Sequence, residues 1–261
     1  MKGIRASLLF FLFFLALWEG ACRIWDVPPF LLPAPSRIGA LMIEEAPLLL
    51  DHSLVTLAEI LLGILFSVCA AIPLALLLFL FPSFDAALSP LLVASQSIPV
   101  FALAPLLVVW LGYGMASKVL MASVIIFFPL TISLLEGFRS CDPELKSLFF
   151  LMGADFPSTL RLLYWPSALP YFFAGLKVAV SVAAIGAVLG EWVGSTEGLG
   201  FLMMQANARL RVDRVFAGLF LLSFLSVFLW WGVSLAERNV VFWMSKQYGN
   251  KQNSNSGRFI Q

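Results

Sequence analysis

Long apolar runs alternate with short polar interruptions along this chain, and the run lengths predict its elements. A membrane-spanning helix takes roughly 20 apolar residues. Six runs meet that length, at about 7–25, 54–81, 87–111, 118–137, 168–193 and 215–236. Backbone in lipid must satisfy its own hydrogen bonds, so each run is expected to be a helix and the chain an all-α, polytopic membrane protein. One interruption is longer and more ordered than the rest: Glu136 to Pro170, EGFRSCDPELKSLFFLMGADFPSTLRLLYWPSALP.

Within it, Asp142 and Pro143 read as a helix start, an oxygen cap followed by a ring whose fixed φ suits the first turn. Glu144 supports the positive end of the helix dipole. Leu145, Leu148, Phe149 and Met152 recur at helical spacing, with Glu144, Lys146 and Ser147 on the opposite face. Gly153 offers a stop. Asp155 and Pro157 open a second short helix in the same way, and Pro166 and Pro170 frame the start of the fifth run. The unit, loop 138–166, reads as a docking element; an amphipathic loop lying on the membrane surface is the alternative.

The third run carries SQSIPVFALAPLLVVWLGYG, with Pro99 and Pro105 in an apolar setting. Prolines free carbonyls and bend helices, and irregular backbone in a membrane is tolerated where it lines a cavity. Ser95, Gln96, Ser97 and Pro99 are therefore candidates for a translocation path, although the polar three can equally hold helices together. In the fifth run Lys177, Ser181 and Glu191 share one helical face. Ser181 and Glu191 join the candidates for the path, while Lys177 can snorkel and Glu191 can instead anchor the interface beside Trp192. Gly186 and Gly190 permit close helix approach. The stretch after Val193 is too polar to span, and residues 201–206 are expected to form a short helix dipping back into the bundle. Before the second run, an extended Pro-rich piece becomes helical from Ser36, at the outer surface.

Composition agrees: 61% of residues are hydrophobic and 12% charged, with 25 Phe and 8 Trp. Lys2 and Arg5 ahead of the first run allow a secretory signal ending near Cys22. Glu19, three residues before that cysteine, argues against a lipoprotein signal, and an even number of helices keeps both chain ends on one side. With those ends in the cytoplasm, nine Lys and Arg fall inside and six outside, a weak bias of the expected sign. The three cysteines suggest no disulfide framework, and the lone His52 suggests a surface or capping role. No phosphate-binding G-x-x-x-x-G-K-[ST] loop occurs, so the chain is not expected to hydrolyse ATP itself. No catalytic residue, metal site, cofactor or nucleic-acid partner is expected. The Asn- and Ser-rich segment 249–261 reads as a disordered tail, leaving a single domain over 1–248.

The Gly153 to Pro166 frame resembles the cytoplasmic loop of inner-membrane permeases in binding-protein-dependent ABC importers, E-A-A, three residues, G, nine residues, I-x-L-P. Here Ser147, Leu148 and Phe149 replace E-A-A, Leu163 the Ile and Trp165 the Leu. The LPAPS segment, the proline-broken third run, LPYFFAGLKVAVSVAAIGAVLGEW and the later GLG are similar to the nitrate, sulfonate and taurine branch, and most to hydroxymethylpyrimidine permeases of thiamine supply. The similarity runs from about Leu32 to Trp243. It implies a type I importer permease fold in the bacterial inner membrane, with a cytoplasmic coupling helix that uses Asp142, Glu144, Leu145, Leu148, Phe149, Gly153, Ala154 and Pro166. It further implies a separate ATP-binding subunit, a periplasmic or lipid-anchored substrate-binding protein, a second permease copy, and a thiamine pyrimidine precursor or a sulfonate- or nitrate-type anion as cargo. An ion-coupled secondary transporter built on Lys177 and Glu191 is the competing reading.

Overall fold

Residues 2–95 and 97–243 are described in a computed structural model, in which the regular structure is helical throughout. Three helices form its centre: α3 (Ala46–Leu80), α6 (Met115–Arg139) and α9 (Trp165–Gly194). Helix α6 lies between the other two. It runs parallel to α3, with Glu59 against Lys118 and Leu78 clustered with Leu134 and Phe138. It runs antiparallel to α9, with Gly137 against Ala168 at one end and Lys118 against Gly190 at the other.

The α6–α9 contact depends on missing side chains. A Cβ on Gly186 would stand 2.9 Å from the Cα of Ala122, and one on Gly190 would stand 3.1 Å from the Cα of Lys118. Both neighbours are backbone atoms, which yield only by moving a helix. The small-residue pair thus packs helices within one chain. Gly186→Val is expected to cost about 1–3 kcal/mol by overpacking, read as a lower unfolding temperature in detergent; an unchanged temperature would refute the close approach.

The remaining helices dress this centre: α1 (Lys2–Ile24), α2 (Pro35–Glu44), α4 (Pro82–Ser95), α5 (Ala104–Leu111), α7 (Pro143–Leu151), α8 (Phe156–Thr159), α10 (Leu199–Ala208) and α11 (Val212–Val240). Four helical stretches are long and apolar enough to cross a membrane: Ala46–Leu80, Met115–Arg139, Phe156–Gly194 and Val212–Val240. The α4 and α5 region makes a fifth as a bent pair. Helix α1, at 23 residues, is the remaining one of the six runs and exposes Leu9 to Phe14 and Leu17.

Three boundaries differ from expectation. The second run begins at Ala46 rather than 54, because Pro47 suits a first turn and Asp51 and His52, which look like a polar border, lie inside the helix. The third run is not one helix over 87–111. Helices α4 and α5, joined in part by a 3₁₀ turn at Val100–Leu103, are bent by 93°, since Pro99 has no amide hydrogen and disfavours helical geometry at Ile98. Gln96 lies outside the described residues, as does segment 249–261. The second short helix of the central loop is not separate either. Helix α8 passes through a wide π turn at Leu160–Tyr164 straight into α9, so the helix rises from Phe156 rather than 168. The wide turn sits directly before Pro166, where a ring would crowd an ordinary turn.

Helix α2 is pinned at both ends. Glu19 of α1 accepts from the Ser36 amide at 3.0 Å and hydroxyl at 2.7 Å, satisfying free groups at the α2 start. Ile38 and Leu41 are buried with Leu202 and Ala217. Beyond its end, Glu45 takes Arg214 at 2.5 Å and Arg211 at 3.3 Å, while Arg37 reaches Asp213 at 3.5 Å.

Candidate functional site

Helix α7 projects between α6 and α8 as a short helix with no buried residue. The Asp142 carboxylate accepts from the Glu144 amide at 2.9 Å, closing its start. Its end is a Schellman motif: the Gly153 amide donates to the Phe150 carbonyl at 3.0 Å and the Ala154 amide to the Phe149 carbonyl at 3.1 Å, with Gly153 at φ +69°. Asp155 then caps α8 through the Ser158 amide at 3.3 Å, and hydrogen bonds from Ser158 hold its carboxyl below the usual carboxylate range.

The outward side of α7 is apolar. Leu145 and Leu148 are exposed, and Phe150, Leu151 and Met152 are 84%, 81% and 74% exposed. Water stabilises none of these side chains, and such a ridge marks a contact surface. Phe149 is half-buried, and Lys146 places its ammonium 5.5 Å from the centre of the Tyr164 ring. The exposed apolar stripe therefore runs through Leu145, Leu148 and Leu151 rather than through Phe149. Glu144 is exposed, and Ala154 and Pro166 are half-buried. Beside α7, Arg139 at the end of α6 bridges to Asp85 of α4 at 2.5 Å.

A second polar centre lies inside the helices, around the start of α10. The first amides of any helix lack partners within it. Here the Gly198 amide donates to His52 Nδ1 at 2.9 Å, the Leu199 amide to Thr56 Oγ1 at 2.8 Å, and the Gly200 and Phe201 amides to Glu191, the latter at 3.2 Å. Thr56 donates in turn to Glu191 at 2.6 Å. The carboxyl of Glu59 faces Glu191 and pairs with Lys118 at 3.2 Å. Thr56, Glu59 and Glu191 are fully buried, so this cluster ties α10 to α3 and α9 inside the packed helices. Gly198, at φ +104°, has no room for a Cβ because the Glu191 carboxylate occupies that space.

The path candidates separate. Glu191 belongs to this network. Ser181 donates to the Lys177 carbonyl at 2.8 Å and lines a cavity between α9, α10 and α11. Ser95 is half-buried, bonded to the Leu92 carbonyl at 2.7 Å, while Ser97 and Pro99 are exposed at the break in the third run. Lys177, on the same face as Ser181, pairs with Glu237 of α11 at 2.7 Å. Sequence reasoning passed over Thr56, Glu59 and Lys118. The signal was present, since an ionisable residue in an apolar run is a functional candidate. What no single run reveals is that Glu59, Lys118 and Glu191 meet from three helices.

Comparison with known proteins places the chain. Residues 53–241 match the family model described as binding-protein-dependent transport system inner membrane component. A probable ABC transporter permease protein of Haemophilus influenzae is 45% identical over 222 residues, covering 84% of this chain and 89% of that protein. The formylaminopyrimidine transport permease protein ThiX of Halalkalibacterium halodurans is 39% identical over 240 residues, covering 92% of this chain and 96% of that protein. A structure of the MetNI methionine ABC transporter in inward-facing conformations superposes with a TM-score of 0.67 at 19% identity, over 76% of this chain and 98% of that one.

Proposed function

Because this chain belongs to the family of inner-membrane components of binding-protein-dependent transport systems, and so is the permease subunit of an ABC importer, we propose that α7 is its coupling helix and that its cargo is a pyrimidine precursor of thiamine. The observation that carries the coupling role is the exposed apolar ridge of α7, set on a closed helix between two membrane-crossing ones. A groove on a separate ATP-hydrolysing subunit receives Leu145, Leu148 and Leu151, with Asp142, Glu144 and the Gly153–Ala154 cap shaping the helix ends; Phe149 and Pro166 support it from behind. In this reading α7 and both chain termini are cytoplasmic, α1 is a retained span, and a substrate-binding protein docks on the opposite side, near α2 and the α10 start.

Two copies of the chain frame the path. The bend between α4 and α5 supports this, since Ser97, Ile98 and Pro99 are exposed there and irregular backbone is not left open to lipid. The pyrimidine cargo is supported by the 39% identity to a formylaminopyrimidine permease; a sulfonate-type anion is the alternative within the same branch. An ion-coupled carrier gains no support from Lys177 and Glu191, which are occupied by Glu237 and the α10 amides.

Affinity purification of the tagged chain from its native membrane is expected to recover an ATP-binding subunit and ATP-dependent uptake. A chain purified alone that drives uptake from an ion gradient would overturn the reading. Gly153→Val keeps the open space around the glycine but forces a β-branched residue to φ +69°. The strain is about 1–2 kcal/mol, so uptake is expected to fall roughly tenfold with unchanged membrane insertion. Uptake at the native rate would reject the capped α7 as the coupling element.

A further inference from the structure

We propose that the cavity between α9, α10 and α11 is a resting site for an uncharged, amino-substituted heteroaromatic solute on its way across the membrane; this rests on the import function proposed above. The cavity holds about 950 Å³, at the upper end of small-molecule sites. It follows α9 from Ser181 to Trp192, about 16 Å of helix at 1.5 Å per residue, so it runs along the crossing direction rather than across it.

Its lining decides the ligand class. Among the described residues, no Lys, Arg, His, Asp or Glu contributes to it. A sulfonate or nitrate lodged in this groove finds no positive charge to pair with, and an ion within a membrane protein is costly unless paired. The neighbouring helix start offers no substitute, because the first amides of α10 are already committed to His52, Thr56 and Glu191. What the cavity does offer is two indole side chains, Trp192 and Trp230, and four polar ones, Ser181, Asn207, Ser223 and Ser226.

The polar groups favour a ligand that donates as well as accepts. Ser181 and Ser223 spend their hydroxyl hydrogens on the Lys177 and Leu219 carbonyls, at 2.8 and 2.9 Å, leaving oxygen lone pairs that can only accept. Those lone pairs suit an exocyclic amino group. The Asn207 amide supplies both a donor and an acceptor, matching a ring nitrogen beside such an amino group. Stacking on Trp is available to any planar ring. A lipid chain fills the same volume but has no use for the four polar side chains.

The test is uptake of radiolabelled hydroxymethylpyrimidine by cells carrying the complete transporter, compared between the native chain and the variants Asn207→Leu with Ser223→Val, Trp230→Ala and Trp230→Phe. Membrane levels and recovery of the ATP-binding subunit are measured alongside. The expected result is a fall of roughly tenfold or more for the double variant and for Trp230→Ala, as when a hydrogen-bonding or stacking partner is lost, with Trp230→Phe restoring most of the uptake at equal membrane levels. A variant that fails to accumulate is replaced by Ser226→Cys, whose maleimide labelling in membranes is expected to slow in the presence of the pyrimidine. Native uptake with unaffected variants, or labelling indifferent to the pyrimidine, overturns the cavity and leaves the import function standing. A native chain that takes up taurine but no pyrimidine overturns the cargo itself, and the ligand class falls with it.

Discussion

Leu148→Asp is expected to leave the protein folded in its membrane and to abolish recovery of the ATP-hydrolysing subunit. Leu148 is 49% exposed, in the middle of the outward stripe of α7, so the substitution disturbs little inside the chain. At the centre of an interface it buries an unpaired carboxylate where an apolar anchor had been. Central anchors are worth about 2 kcal/mol or more, a weakening of roughly 30-fold. Co-purification and ATP-dependent uptake should be lost together. Ser147→Asp, on the flank of the same helix, is the control and should retain both. Phe149→Asp is a less clean probe because Phe149 is half-buried against its own chain, so it should lower stability as well as docking. Co-purification of Leu148→Asp at the native level would remove α7 from the partner interface.

Glu191→Ala is expected to have the largest effect on the fold itself. It removes the acceptor for the Gly200 and Phe201 amides and the partner of the Thr56 hydroxyl, all in a buried setting. An amide left without an acceptor costs about 1–3 kcal/mol, so two cost about 2–6 kcal/mol. Helix α10 should loosen from α9, seen as faster hydrogen exchange over 198–203 and a markedly lower unfolding temperature in detergent. Glu191→Gln keeps one oxygen acceptor and should fall between the two. Native stability in the alanine variant would mean that α10 is held by its apolar contacts through Leu199, Leu202 and Met203 instead.

Much of this architecture was legible because membrane solvent simplifies the rules. Run length located the four helices long and apolar enough to cross and the bent pair at α4 and α5, and Asp142, Gly153 and Asp155 announced their caps through local chemistry that needs no partner. The boundaries that failed did so for local reasons with two outcomes. Pro99 breaks its helix, whereas Pro166 is absorbed by a wide turn, and a proline in a sequence does not state which will happen. The polar network was illegible for a different reason. Thr56, Glu59, Lys118 and Glu191 acquire meaning only once α3, α6 and α9 are stacked in register, and the register depends on glycine positions such as Gly186 whose neighbours lie on another helix. His52 shows the boundary between the two cases, since a capping role was readable but its recipient, the Gly198 amide, was not.

The passage of α8 through the π turn into α9 has a mechanical consequence. From Phe156 to Gly194 the backbone is one continuous 39-residue rod, beginning beside the α7 ridge and ending at the residues that hold α10. Gly186 and Gly190 lie where that rod touches α6 backbone to backbone, far from its loop end. Phe156 is about 45 Å from Gly186 along the axis, so a tilt of about 5° around that contact would carry the loop end through about 4 Å. A push of a few ångströms on that long arm is thereby geared down to a fraction of an ångström at Glu191, about five residues beyond the contact, the scale on which a hydrogen-bonded helix start is either kept or released.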